Sequence, residues 1–345
     1  MNIAIINDSA IFTGIGRYAT YLTNATNAVL FSLKLDSTIR TRKYPGIEVF
    51  PRTFPKIGTG WYLNHRFPSV FLSNIKKQIE KQINPNTIIH YSSQNVPRIN
   101  LKNRYVFTIH DTFGLDPKFC SNSRVRKINE MNLRYSASSE RIISVSKFTQ
   151  SHLKKFGMDG NIDVIYPPVA TAFKPLEKRE SLRKKLGLPE NKKLVLSVST
   201  QNPRKNLKAV AETMKFLGSE YNLVRVGHPI DQSYSFTNVG DEELNMIYNA
   251  CDVLLFPSLE EGFGYPIAES MTVGLPVVAS DIPIFNEVAE NSALLVEPKP
   301  EKLAKGIREV LDNKDIFRDR GIQIAKRYSF DCFKENIIKF YKKIM

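Results

Sequence analysis

The sequence predicts an α/β protein made of two Rossmann-like, doubly wound domains. Three observations carry this. The chain has 345 residues, more than one ordinary core organises. Short apolar β runs alternate with stretches of helical spacing, the pattern of a parallel sheet with helices on both faces. The alternation stops at Pro167-Pro168 and restarts at Leu194. We expect a first domain over residues 1–168 and a second over 169–326, with the linker near 167–175. Residues 327–345 form a last segment whose amphipathic helix packs back towards the first domain.

In the first domain the strand-like runs are IAIIN (3–7), TIIHY (87–91), RYVFTIH (104–110), RIISVS (141–146) and IDVIYPP (162–168). A Gly-containing loop follows the first run, and a helix is expected from Arg17. SVFLSNIKKQIEKQI (69–83) has helical spacing. In the second domain LVLSVS (194–199), NLVRVG (222–227), DVLLFP (252–257), PVVAS (276–280) and ALLVE (293–297) read as strands. DEELNMIYNA (241–250) has an acidic start and helical periodicity. Two such domains leave a cleft at the carboxyl ends of their sheets, where open α/β sheets bind ligands.

Composition narrows the class. The chain is 42% hydrophobic and 24% charged, as in globular proteins. No apolar run approaches the ~20 residues that span a bilayer. The N-terminus lacks the basic region of a signal peptide. Cys120, Cys251 and Cys332 make neither a disulfide framework nor a zinc pattern, which suits a reducing, cytoplasmic location. The formal charge of +15 is lopsided. Residues 1–170 hold 23 basic and 10 acidic residues, a net of +13, against +2 for the remainder. Codon bias towards Lys, Asn and Ile is one reading. The other is an anionic or lipid-linked acceptor, with peripheral contact at the inner membrane face. The clusters Arg40–Lys43, Lys76-Lys77 and Arg124–Lys127, and the apolar residues Trp61, Tyr62 and Phe67, would serve it. Nucleic-acid motifs are missing, so no nucleic-acid partner is expected.

The segment Pro257–Glu269, PSLEEGFGYPIAE, carries the most chemistry. Gly262 and Gly264 let bare backbone approach a ligand. Pro266 sits where a helix should begin and Gly274 where it should stop. A helix N-terminus with open N–H groups suits a diphosphate. Glu269, one turn in, can take both hydroxyls of a ribose. Glu261 can accept from sugar hydroxyls. As a lone residue Glu269 would read as a solvated helix carboxylate; the surrounding pattern argues otherwise.

With these residues the segment resembles the retaining glycosyltransferases of family four, which have the GT-B fold. Their signature is a Glu, a GFG-type turn and a second Glu eight positions on, here Glu261, Gly262-Phe263-Gly264 and Glu269. The resemblance runs through DEELNMIYNACDVLLFPS before it and MTVGLPVVASDIPIFNEVAENSALLVEP after it. It implies donor binding by these residues. STQNPRKNL (199–207) resembles the family's Pro-Arg-Lys-Asn loop, with Lys205 matching the lysine that grips the donor diphosphate. Many members also carry an Arg after the Gly that ends the preceding strand. Here Ser199 and Thr200 stand there, and Arg204 is the candidate substitute. FTGIGRY (12–18) resembles the family's Gly-rich first loop, which assigns Gly14 and Gly16 to donor binding. TIHDTFG (108–114) resembles its His-Asp segment and places His110 at the donor sugar; alone, the histidine reads equally well as structural.

No Asp-x-Asp occurs, so neither a metal nor another cofactor is expected. Lys205, Arg204 and a helix N-terminus must then meet the charge of the leaving diphosphate. The expected function is retaining transfer of a hexose to a glycan, lipid-linked or protein acceptor. The donor would be a GDP-mannose or UDP-glucose type of nucleoside-diphosphate sugar. The Pro-Arg-Lys-Asn loop leans towards mannose. Two alternatives stay open: a catalytically impaired nucleotide-sugar-binding protein, motivated by Thr200, and a nucleotide-sugar epimerase. The epimerase would need acid/base side chains that the sequence does not offer.

Overall fold

The computed structural model describes residues 2–9, 13–33, 47–49, 68–96, 98–230 and 232–345. Arg40–Lys43, Trp61, Tyr62 and Phe67 lie outside the described residues, as does Phe12 at the start of the Gly-rich segment. The chain divides into two units. One comprises Met1–Pro167 with Phe333–Met345, and the other Pro168–Cys332. The break thus falls one residue before the expected boundary. The tail expected as a separate segment from 327 is divided at Phe333.

Among the described residues the first unit holds seven strands: β1 Ile3–Asn7, β2 Val29–Ser32, β3 Ile47–Val49, β4 Ile88–Tyr91, β5 Tyr105–Ile109, β6 Arg141–Ser144 and β7 Ile162–Val164. All pair in parallel, in the order β3-β2-β1-β4-β5-β6-β7. β1 and β4 are continuous runs of buried apolar residues up to Asn7 and His90, as strands covered on both faces must be. Ile6, Phe31, Ile79, Ile89, Phe107 and Leu153 are fully buried in one core. Part of the last helix, Phe330–Lys342, completes this unit: Phe333, Ile337, Phe340 and Tyr341 are buried.

The second unit holds β8 Lys193–Val198, β9 Tyr221–Val226, β10 Tyr234–Phe236, β11 Val253–Phe256, β12 Val277–Ser280 and β13 Leu294–Val296. They are again all parallel, in the order β10-β9-β8-β11-β12-β13. Val195, Leu255 and Val278 of the sheet pack with Val210, Leu303 and Ile307 of its helices.

Three strands were not separated in the sequence: β2, β3 and β10. β3 and β10 are three-residue edge strands, too short to show a period. β2 follows the helix Gly14–Thr26 after only two residues, and the left-handed Asn27 (φ 53°) makes the break.

In each sheet the strand order reverses once. The reversal lies between β1 and β4 in the first unit and between β8 and β11 in the second. Chains leaving the carboxyl ends of such a pair diverge to opposite faces and open a crevice.

Candidate functional site

The β8/β11 reversal brings together the charged residues singled out in the second half. After β8 the chain makes a short 3-10 turn, Pro203–Lys205. Asn202 caps it, its Oδ1 accepting from Arg204 N at 3.1 Å. After β11 the chain runs Pro257 to Gly264, and Leu259 N donates to Arg204 O at 2.7 Å. The two loops are thus stitched together by backbone.

Arg204 Nη1 donates to Glu261 Oε2 and to Glu260 O, both at 2.9 Å. Lys205 Nζ donates to Glu261 Oε1. The lysine ammonium also lies 5.5 Å from the ring centre of Phe256. The Glu261 side chain is 9% exposed. Burial pushes its carboxyl up, but Lys205 and Arg204 together more than offset this and hold it below the usual carboxylate range. Glu261 therefore stays ionised and divides its two oxygens between two cations.

The turn behind Glu261 requires glycine at Gly264, where φ is +100° and a Cβ would come 3.1 Å from Phe285. Phe263 is buried, edge-on to Tyr265 and Tyr328 with centroids at 5.4 and 5.2 Å. Its ring anchors the turn from within the fold. The helix Tyr265–Val273 follows, with Pro266 second rather than first, and ends at left-handed Gly274 (φ 77°). Glu269 lies on it, 2% exposed. Its Oε2 accepts from the Tyr248 hydroxyl at 2.8 Å. Tyr248 is fully buried on the helix Asp241–Ala250. The sequence reading missed this partner. Its signal was a tyrosine at a core position of an amphipathic helix, where its hydroxyl would need a partner.

His110, Gly14 and Gly16 belong to the first unit. Gly14 and Gly16 are not in a loop. They form the first turn of the helix Gly14–Thr26, because Thr13 caps it and its Oγ1 accepts from Gly16 N at 3.1 Å. His110 follows β5 and is 8% exposed. Its Nε2 lies 2.8 Å from Ser92 O. A carbonyl only accepts, so Nε2 carries the hydrogen and Nδ1 the lone pair. Burial lowers its pKa to about 4, leaving it neutral at pH 7.

His90, fully buried on β4, bonds Tyr341 OH through Nδ1 at 2.5 Å and Thr108 Oγ1 through Nε2 at 2.8 Å. It ties the last helix to the sheet. Burial, and then the nearby His110, lower its pKa to about 3. These two histidines predict acid sensitivity. Unfolded histidine takes a proton near pH 6.5, whereas the folded pair resists to about 4 and 3. Their stability contribution is therefore full above pH 6.5 and is lost progressively as pH falls towards 4 and 3. Between pH 7 and pH 5 the first unit should lose about 3–4 kcal/mol. Urea unfolding at the two pH values checks this, and equal midpoints would contradict it.

Of the described basic clusters, Lys76 lies 3.7 Å from Glu80, and Arg126 Nη1 donates to Cys120 O (2.6 Å) and Ser121 O (2.9 Å). Lys77, Arg124 and Lys127 are exposed. Among the described residues no three His, Cys, Asp or Glu side chains group as metal ligands. No described helix is long and apolar enough to cross a membrane.

Comparison with known proteins matches both halves. The family described as glycosyl transferases group 1 matches residues 178–328, and that described as glycosyltransferase family 4 matches residues 12–173. The O-antigen chain mannosyltransferase RfbU of Salmonella typhimurium is 28% identical over 259 residues, 69% of each chain. The O-antigen chain mannosyltransferase B of Escherichia coli is 26% identical over 273 residues, 69% of this chain and 70% of its own. Among solved structures, a sucrose-phosphate synthase from Thermosynechococcus elongatus matches with a TM-score of 0.83 at 18% identity, over 99% of this chain and 98% of that one. HepE of Anabaena, in complex with UDP and glucose, matches with a TM-score of 0.79 at 17% identity over 99% of each chain. At those identities the structural likeness is one of fold.

Proposed function

The chain belongs to the group 1 glycosyltransferases of the GT-B fold, and from that premise we propose that it transfers mannose from GDP-mannose to a growing glycan, with retention and without a metal. The observation that carries this is the Arg204–Glu261–Lys205 cluster at the β8/β11 reversal. Two cations converge on one buried carboxylate at the carboxyl ends of the strands. A nucleoside diphosphate is the natural occupant. The Tyr265–Val273 helix N-terminus adds its N–H groups, and Glu269, oriented by Tyr248, takes the ribose hydroxyls.

In the reaction the bond from the anomeric carbon to the diphosphate oxygen breaks, and its electron pair leaves with the diphosphate. The acceptor oxygen bonds the same carbon from the same face, and its proton passes to the diphosphate. Lys205 and Arg204 move part of their bonding from Glu261 to the oxygens that gain charge. Glu261 then turns lone pairs to the sugar hydroxyls. His110, neutral at pH 7, is assigned no proton transfer.

Mannose is favoured by the names of the two relatives that span 69% of the chain. Their names also favour an acceptor of the O-antigen kind. Exposed Lys77, Arg124 and Lys127 suit an anionic, lipid-linked carrier at a membrane face. One transfer assay tests the reading, with labelled GDP-mannose or UDP-glucose, EDTA present, and a lipid-linked glycan in anionic or neutral vesicles. The expected product is an α-mannoside, formed despite EDTA and faster on anionic vesicles. Transfer from UDP-glucose alone would overturn the donor. Inactivity restored by Mg²⁺ or Mn²⁺ would overturn metal independence. Equal rates on both vesicles would remove the membrane contact.

A further inference from the structure

Arg225 is the bulkiest fully buried side chain among the described residues. It interrupts the apolar strand β9, and its guanidinium reaches the carboxyl end of the neighbouring β8. Nη1 donates to Val226 O at 2.7 Å and Ser197 O at 2.9 Å. Nη2 donates to Ser199 Oγ at 3.1 Å and to Ser199 O. Nε is buried without a hydrogen-bond partner among the described residues. Gly227 makes the room: its φ is +127°, and a Cβ there would lie 2.3 Å from Ser199 O and 2.9 Å from Arg225 Nη2.

Every one of these acceptors is neutral. Its hydrogen bonds reach no carboxylate, and burial lowers its pKa to about 10. The group is therefore a cation at pH 7. Burying a charge without a counter-ion is strongly unfavourable, and a neutral amide could bond carbonyls with less penalty. The charge itself is what needs a reason. Ser199 supplies one, because it begins the segment that carries Arg204 and Lys205 at the β8/β11 reversal.

We propose that Arg225 is a positioning residue for the diphosphate: it clamps the start of the Ser199–Lys205 segment and sets an uncompensated positive charge beneath it, which draws a polyanion to that segment. This rests on the nucleoside-diphosphate reading above. Arg225 acts through the segment and from under it, so its charge should govern the phosphates and not the nucleoside.

The test compares Arg225→Gln, which keeps donors for the carbonyls but no charge, with Arg225→Lys, which keeps the charge. Calorimetry measures GDP and guanosine binding to the full chain and both variants. Arg225→Gln should weaken GDP by about tenfold or more and leave guanosine within about twofold. Arg225→Lys should hold GDP within about threefold of the unaltered protein. Unchanged GDP affinity in Arg225→Gln would overturn the proposal. So would equal losses in Gln and Lys, which would make the clamp purely geometric. If Arg225→Gln does not fold, Arg225→Lys decides by its ratio of GDP to guanosine affinity. A preserved ratio supports the charge, and a collapsed ratio rejects it. If the unaltered protein binds neither GDP nor UDP, the donor reading fails first, a result distinct from any of these.

Discussion

Replacing Lys205 by alanine should lower kcat by about a hundredfold, the usual consequence of removing a preorganised charge from a developing anion. The structure sharpens this expectation. Lys205 shares buried Glu261 with Arg204, so on the proposed mechanism its loss removes a cation from the leaving group and also one of the two cations that hold a buried carboxylate. The carboxyl, now held low by two cations against burial, should titrate higher in the variant. The acid limb of the kcat profile should then move to higher pH. Arg204→Ala should act in the same direction. Steady-state kinetics decides the role: a raised KM with intact kcat would make Lys205 a uniform binding residue. If Arg204→Ala has no effect on kcat, Arg204 does not stand in for the arginine absent at Ser199 and Thr200.

Much of this arrangement is legible in the sequence. Strands β1, β4, β5, β8, β11 and β12 are predominantly apolar runs separated by helical stretches, the pattern of parallel sheets covered on both faces. The Glu261–Glu269 segment stood out by Gly262 and Gly264, read as letting bare backbone approach a ligand; at Gly264 the glycine also serves the backbone, with φ +100°. Local pattern did not reach the pairings across elements. Tyr248 and Glu269 are 21 positions apart, and Ser199 and Arg225 are 26 apart; only the sheet order brings them together. Arg225 did leave a trace, a charge amid the apolar NLVRVG run. Gly14 and Gly16 were misplaced for a local reason: two glycines look like a loop, yet Thr13 supplies a cap strong enough to start the helix at Gly14.

Glu269→Ala should weaken GDP binding by at least about tenfold, since each hydrogen bond to a charged group contributes about 1.5–3 kcal/mol. The larger claim concerns which atoms Glu269 meets. If it holds the ribose, then 2′-deoxy and 3′-deoxy GDP should bind the unaltered protein less tightly than GDP. Glu269→Ala should erase that difference. Tyr248→Phe removes the hydroxyl that donates to Glu269 Oε2 at 2.8 Å while keeping the ring against Phe173, centroids 5.7 Å apart. It should weaken GDP severalfold by letting the carboxylate turn. Added to Glu269→Ala it should cost nothing more, because the two act as one unit. Calorimetry on the four proteins completes the cycle. Equal affinity for GDP and its deoxy analogues in the unaltered protein would remove the ribose assignment. Additive losses in the double variant would separate Tyr248 from Glu269 and leave the tyrosine only a packing role.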